Sequence, residues 1–143
     1  MADLTIYTDG AARGNPGPSA SGYAIYRGTR LVAEYYEFNG DRTNNYAEYR
    51  AMIMALEWCR DNVKDPGEAS IEIRSDSELV VRQMNLDYKV KSGNLIDMNR
   101  RLHGLVSGFG SVGFTNLPRS DRYISAVDKR LNDLLDRHGQ TVK

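Results

Sequence analysis

Three consecutive stretches alternate apolar and polar residues, at 3–9, 20–27 and 30–38, before the first helical periodicity appears at 45–62. That order constrains the fold more than any other feature of the chain. Runs with a period of two and short connections pair as an antiparallel meander. The helix that follows acts as a crossover, which normally makes the next strand parallel to the one it left. That next strand is "ASIEIRSD". Beyond it the pattern predicts a short helix at 77–84, an irregular stretch "NLDYKVKSGN", a helix at 94–107, a strand in "GSVGFTNL" and a last helix at 122–137. The order β-β-β-α-β-α-α-β-α implies an α/β fold: a mixed five-stranded sheet, a three-strand antiparallel meander plus parallel strands, flanked by helices. One domain is expected over 1–143, with a frayed tail over 136–143.

Composition narrows the class. A chain of 143 residues with 41% apolar and 27% charged residues fits a globular domain that needs neither disulfides nor metal to build its core. The single cysteine, Cys59, excludes an internal disulfide and fits a reducing compartment. No apolar run approaches the roughly 20 residues that span a membrane. The opening "MADLTIYTDG" lacks the basic start and apolar stretch of a signal peptide. The expectation is a cytoplasmic protein without a membrane partner. Nineteen basic residues balance nineteen acidic ones, which argues against a non-specific DNA coater but leaves a nucleic-acid enzyme open.

Chemistry gathers in the acids. Asp9 and Asp76 each end a strand in this reading, and sheets of this kind carry their sites at the carboxyl ends of parallel strands. Glu48 starts a helical line completed by Met52, Ala55 and Cys59, and Asp128 shares a line with Ile124, Leu131 and Leu135. Neither line offers a Lys or Arg, and a carboxylate turned toward a core is costly unless paired, protonated or bound to metal. Each acid alone has a plainer reading: Asp9 and Asp76 as turn or cap residues, Asp128 on a solvated flank, and Asn45 with Glu48 as a helix capping box. Together they can converge on one sheet edge. Four clustered carboxylates repel one another unless a cation neutralises them. All-oxygen ligands select Mg²⁺ or Mn²⁺ over Zn²⁺, and two such ions form a clamp for phosphoryl displacement.

The residues then resemble a known family, ribonuclease H of type 1. "YTDGAARGNPGPSASGYA" looks like its first motif, "TNNYAEYRAMIMAL" its second, "RSDSELVVRQMN" its third and "SAVDKRLNDLL" its fourth. The resemblance implies a ribonuclease H-like fold and an endonuclease that hydrolyses the RNA strand of RNA–DNA hybrids, leaving 3′-hydroxyl and 5′-phosphate ends. It implies a metal site of Asp9, Glu48 and Asp76 with Gly10, and Asp128 assisting a second ion. Mg²⁺ would be the cofactor, with Mn²⁺ as substitute. Gly10 and Asn15 would approach the minor groove, where the 2′-hydroxyls lie. Thr43 would seat a DNA phosphate, Asn44 and Asn45 would meet sugar and base edges, and Glu78 stands where the family often has Gln. A monomer is expected, and double-stranded RNA is a second candidate duplex.

The chain also departs from the pattern. Neither His103 nor His138 suits the loop where many members carry a catalytic-loop His. "TNLPRSDRYISAVD" resembles instead an archaeal-like branch with Pro-Arg in that loop, which makes Arg119 the candidate substitute and Arg122 the second. The basic, Trp-containing protrusion of many bacterial members is missing, with Lys89 and Lys91 as a reduced version. Tyr23, Tyr26, Tyr35 and Tyr36 read as cross-strand packing, not a stacking platform. Two alternatives stay open: a non-catalytic hybrid-binding module, and another nuclease of the same broad fold.

Overall fold

The computed structural model describes residues 2–91 and 93–141. Strands β1 (Leu4–Ala12), β2 (Gly17–Arg27) and β3 (Arg30–Arg42) precede helix α1 (Asn44–Asn62). Then come β4 (Ser70–Ser75), α2 (Glu78–Met84), α3 (Gly93–Val106), β5 (Ser111–Asn116) and α4 (Arg122–Thr141). All five strands form one sheet in the order β3-β2-β1-β4-β5. β1–β2 and β2–β3 are antiparallel, while β1–β4 and β4–β5 are parallel. The expected architecture is present, including the parallel pairing produced by the α1 crossover.

Each face of the sheet is packed by helices that its alternation selects. Leu4, Ile6, Ile25, Ile71 and Ile73 join Tyr49, Met52, Ile53 and Leu56 of α1 in the main core. α1 is buried on most of its circumference, because α3 lies against its outer side. On the opposite face Tyr7 and Ala24 pack with Ile124 and Val127 of α4, and Ala20 packs with Leu131 and Leu135. Burying side chains of this size contributes about 1.5–3 kcal/mol each. The meander tyrosines pack as expected: Tyr23 meets Tyr35 across the β2–β3 pair at 6.3 Å, and Tyr26 meets Tyr7 edge-on at 5.7 Å.

Three local expectations need correction. β1 does not stop at Asp9; it runs to Ala12, since Gly10, Ala11 and Ala12 still pair with Ser21, Ala20 and Ser19 after β4 has ended. The turn is confined to 13–16, where Gly14 has a φ of 107° that favours glycine. The cap of α1 is Thr43, whose Oγ1 accepts from Tyr46 N at 3.1 Å; Asn45 lies inside the helix, so there is no capping box. α4 does not end at 137; it continues to Thr141, and His138 stacks on Phe38 at 3.7 Å. Residues 142–143 lie outside the described residues.

Candidate active site

The register of β1 with β4 sets Thr8 beside Ser75, so Asp9 and Asp76 follow side by side. Glu48, one turn into α1, reaches the same place because α1 lies directly on Gly10. A Cβ on Gly10 would overlap the backbone of Ala47 and the amide of Glu48. No larger residue permits that approach. Gly10 N donates to Asp9 Oδ1 at 2.9 Å and also to Glu48 Oε1, and Ser75 Oγ donates to Glu48 Oε2 at 3.4 Å. Glu48 therefore anchors the helix to the sheet instead of closing its N-terminus.

Oxygens of Asp9, Glu48 and Asp76 all lie within 4.8 Å of one another. Asp9 is 3% exposed and Glu48 6%. Asp9 Oδ2 is buried with no donor; among the described residues only Thr8 Oγ1 shares that condition. Burial raises the Asp9 carboxyl far above its ordinary value, and the charges of Glu48 and Asp76 raise it further. Burial likewise raises Glu48, then the Asp76 charge, against the lowering effect of its hydrogen bonds. Asp9 and Glu48 can hydrogen-bond to each other only if one of them keeps a proton. A buried carboxylate oxygen without a donor, facing two more acids, is the donor set of a hard divalent cation and fits Mg²⁺ or Mn²⁺.

The acids open into a cleft of about 460 Å³ that Asp128, Asn132 and Arg119 also line, with Gly10, Asn44 and Asn45 along one side. Asp128 stands outside the tight three-acid group, in keeping with a separate task. Arg119 Nε lies 3.3 Å from Asp76 Oδ2, and its side chain is 82% exposed. Arg122 instead sits over the Tyr123 ring at 5.4 Å, which favours Arg119 as the loop cation of the cleft.

The remaining sequence candidates divide. Asn44 Oδ1 accepts from Ala12 N at 2.8 Å, and Asn15 Oδ1 accepts from Asn44 N at 3.1 Å. These amide oxygens pin the β1–β2 connection to the start of α1, leaving each Nδ2 as the group that could meet a ligand. Asn15, Thr43 and Asn45 line a neighbouring hollow with Arg42, Tyr46 and Asn94, and Asn45 belongs to both hollows. Lys89 and Lys91 line a third with Tyr88 and Leu95, apart from the acids. Glu78 lines none of these; it pairs with Arg82 at 3.5 Å in the first turn of α2. Two residues at the site escaped the sequence reading. Ser75 holds Glu48, and Asn132 donates through Nδ2 to Asp128 O at 3.0 Å and Oδ2 at 3.3 Å. The four-residue spacing of Asp128 and Asn132 along one helix was the available signal.

The RNase H family model matches residues 1–102. A ribonuclease HI from Halobacterium salinarum is 38% identical over 131 residues, covering 91% of this chain and 63% of the relative. A bifunctional protein from Mycobacterium tuberculosis is 34% identical over 140 residues, 96% of this chain and 37% of the relative. The chain thus spans less than two thirds of the length of these relatives. Among solved structures, LC11-RNase H1 in complex with an RNA/DNA hybrid superposes with a TM-score of 0.87 at 34% identity, covering 94% of this chain and 98% of that one. The pairing, the acid cluster and these matches agree: the chain belongs to the RNase H family, type 1.

Proposed function

We propose that the protein is an endoribonuclease that hydrolyses the RNA strand of RNA–DNA hybrids with divalent-ion assistance, giving 3′-hydroxyl and 5′-phosphate ends. The carrying observation is the buried, donorless Oδ2 of Asp9 within 4.8 Å of Glu48 and Asp76 oxygens. A fold held for binding alone gains nothing from keeping such costly charges together. The hybrid seen with LC11-RNase H1 supports the substrate.

In this reading Asp9, Glu48 and Asp76 would hold one ion and Asp128 would help hold a second, with Gly10 bringing Asp9 and Glu48 together. Bound there, the ions would supply charge stabilisation at the scissile phosphate and an attacking water of lowered pKa. The chain's own groups do the rest. Asn45, with the Nδ2 groups of Asn15 and Asn44, offers donors to the acceptors and 2′-hydroxyls of the minor groove. Thr43 would seat a DNA phosphate, and Lys89 and Lys91 would add positive charge along the duplex. Arg119, free to swing from Asp76 on its exposed loop, takes the part of the loop His and assists product departure. Pro118-Arg119 and the likeness to the RNase H1 of a halophilic archaeon support a place in the archaeal-like branch. A cytoplasmic monomer is the simplest form of the reading. Cys59, its thiol pushed up to about 12 by burial, supplies no nucleophile.

The test incubates the protein with labelled RNA–DNA hybrid, double-stranded RNA and double-stranded DNA, in Mg²⁺, Mn²⁺ or EDTA. Hybrid cleavage that vanishes in EDTA and in Asp9→Asn supports the proposal. Binding of hybrid without cleavage, or cleavage of DNA alone, overturns it.

A further inference from the structure

Asp128 stands outside the group formed by Asp9, Glu48 and Asp76. It is half-buried on α4, close enough to Asp9 to raise that carboxyl further. Repulsion among clustered carboxylates favours rotation of its side chain toward water. The Asn132 amide opposes that rotation. Asn132 Nδ2 donates to Asp128 Oδ2 and to the Asp128 carbonyl, while Asn132 Oδ1 accepts from Arg13 Nη2 at 3.3 Å. Arg13 Nη2 also donates to the Asn132 carbonyl at 3.2 Å and pairs with Asp136 Oδ1 at 2.6 Å. Residues 128, 132 and 136 are successive four-residue steps on one face of α4. Arg13 reaches that face from the β1–β2 connection.

We infer that Asn132, with its amide oriented by Arg13, is a positioning residue for Asp128. An amide presents an acceptor at one end and a donor at the other. Arg13, which can only donate, claims the oxygen, and this turns the nitrogen toward Asp128. One carboxylate oxygen is then held and the other is left to the cleft. The Arg13–Asp136 pair is exposed and contributes little to stability by itself; its part is to hold the guanidinium where the Asn132 oxygen meets it. The inference rests on the hybrid-nuclease reading for its kinetic consequences, but the contact itself can be read without turnover.

The experiment is a double-mutant cycle with Asn132→Leu, Asp128→Asn and the pair, plus Arg13→Gln alone and combined with Asn132→Leu, each tested for hybrid cleavage across a Mg²⁺ titration. Partners that orient metal-binding groups typically change activity or metal affinity by about 10- to 100-fold. Asn132→Leu is expected to lower kcat or weaken Mg²⁺ activation by that amount, with KM for hybrid little changed. In the Asp128→Asn background its further effect is expected to shrink below about twofold. Arg13→Gln should act in the same direction and add nothing to Asn132→Leu. An undiminished effect of Asn132→Leu in the Asp128→Asn background, or wild-type kinetics for Asn132→Leu, overturns the inference. The second readout is the Asn132 side-chain amide pair in ¹⁵N–¹H spectra of the metal-free protein. It should shift in both Asp128→Asn and Arg13→Gln; an unmoved pair overturns the inference. If the wild type cleaves no hybrid, the proposed function falls, and the amide signals alone decide the positioning role.

Discussion

Replacing Asp9 by Asn should remove cleavage and, without divalent ions, make the protein more stable. The side chains are nearly isosteric, so Gly10 N keeps its acceptor. The new NH₂ stands where Oδ2 now lacks any donor. Asp9 is held far above its ordinary value of 3.8, so between that value and its folded one the native state binds more protons than the unfolded chain. Stability then falls as pH rises. At pH 8 the distance from 3.8, at about 1.36 kcal/mol per pH unit, sets a ceiling of about 6 kcal/mol. Proton sharing with Glu48 and local relaxation reduce the realised cost to about 1–3 kcal/mol. For a domain of this size that corresponds to about 3–10 °C in Tm. The assay is thermal unfolding in EDTA at pH 8 and pH 4. Asp9→Asn should melt higher at pH 8, with the difference shrinking at pH 4, where the wild-type carboxyl is protonated in the native state and partly protonated in the unfolded chain. A lower Tm for Asp9→Asn at pH 8 would refute the claim that this carboxylate is buried at a cost.

Three further outcomes follow from the same geometry. Gly10→Ala should lower stability by about 1–3 kcal/mol or more, through the overlap with α1, and abolish cleavage by displacing Glu48; thermal unfolding and the hybrid assay read both. Arg119→Ala should slow turnover while changing stability by less than about 1 kcal/mol, since the arginine is largely exposed; an unchanged kcat would remove Arg119 from the site. Hybrid cleavage at fixed Mg²⁺ should decline as pH falls below neutrality, because protons compete with metal for carboxyls raised by burial. A rate that is flat down to pH 5 would contradict that competition.

Much of this was legible in the residues. The change from alternating to helical periodicity carried the strand order, and the crossover rule carried Asp9 to the side of Asp76. Glu48 was readable as a carboxylate in an apolar line. What escaped depended on contacts between distant segments. β1 extends past Asp9 because β2 continues to pair with it, which no local pattern in "DGAARGNPG" reveals. Thr43, Asn44 and Asn45 are all acceptable caps by residue type. Tertiary bonds decide among them, since Ala12 N takes the Asn44 oxygen and Thr43 alone turns back to the helix. That the Asn15 oxygen binds the backbone of Asn44 depends on the same closure between distant segments. The last turns of α4 carry the polar "HGQT", which reads as a tail until Phe38 is seen stacked on His138.

The acid cluster can be tested most directly by anomalous scattering from crystals of the wild-type protein grown with millimolar Mn²⁺. An anomalous peak coordinated by carboxylate oxygens of Asp9, Glu48 and Asp76 is the predicted result. Ordered acids with no peak among them, or manganese bound only elsewhere, would contradict it.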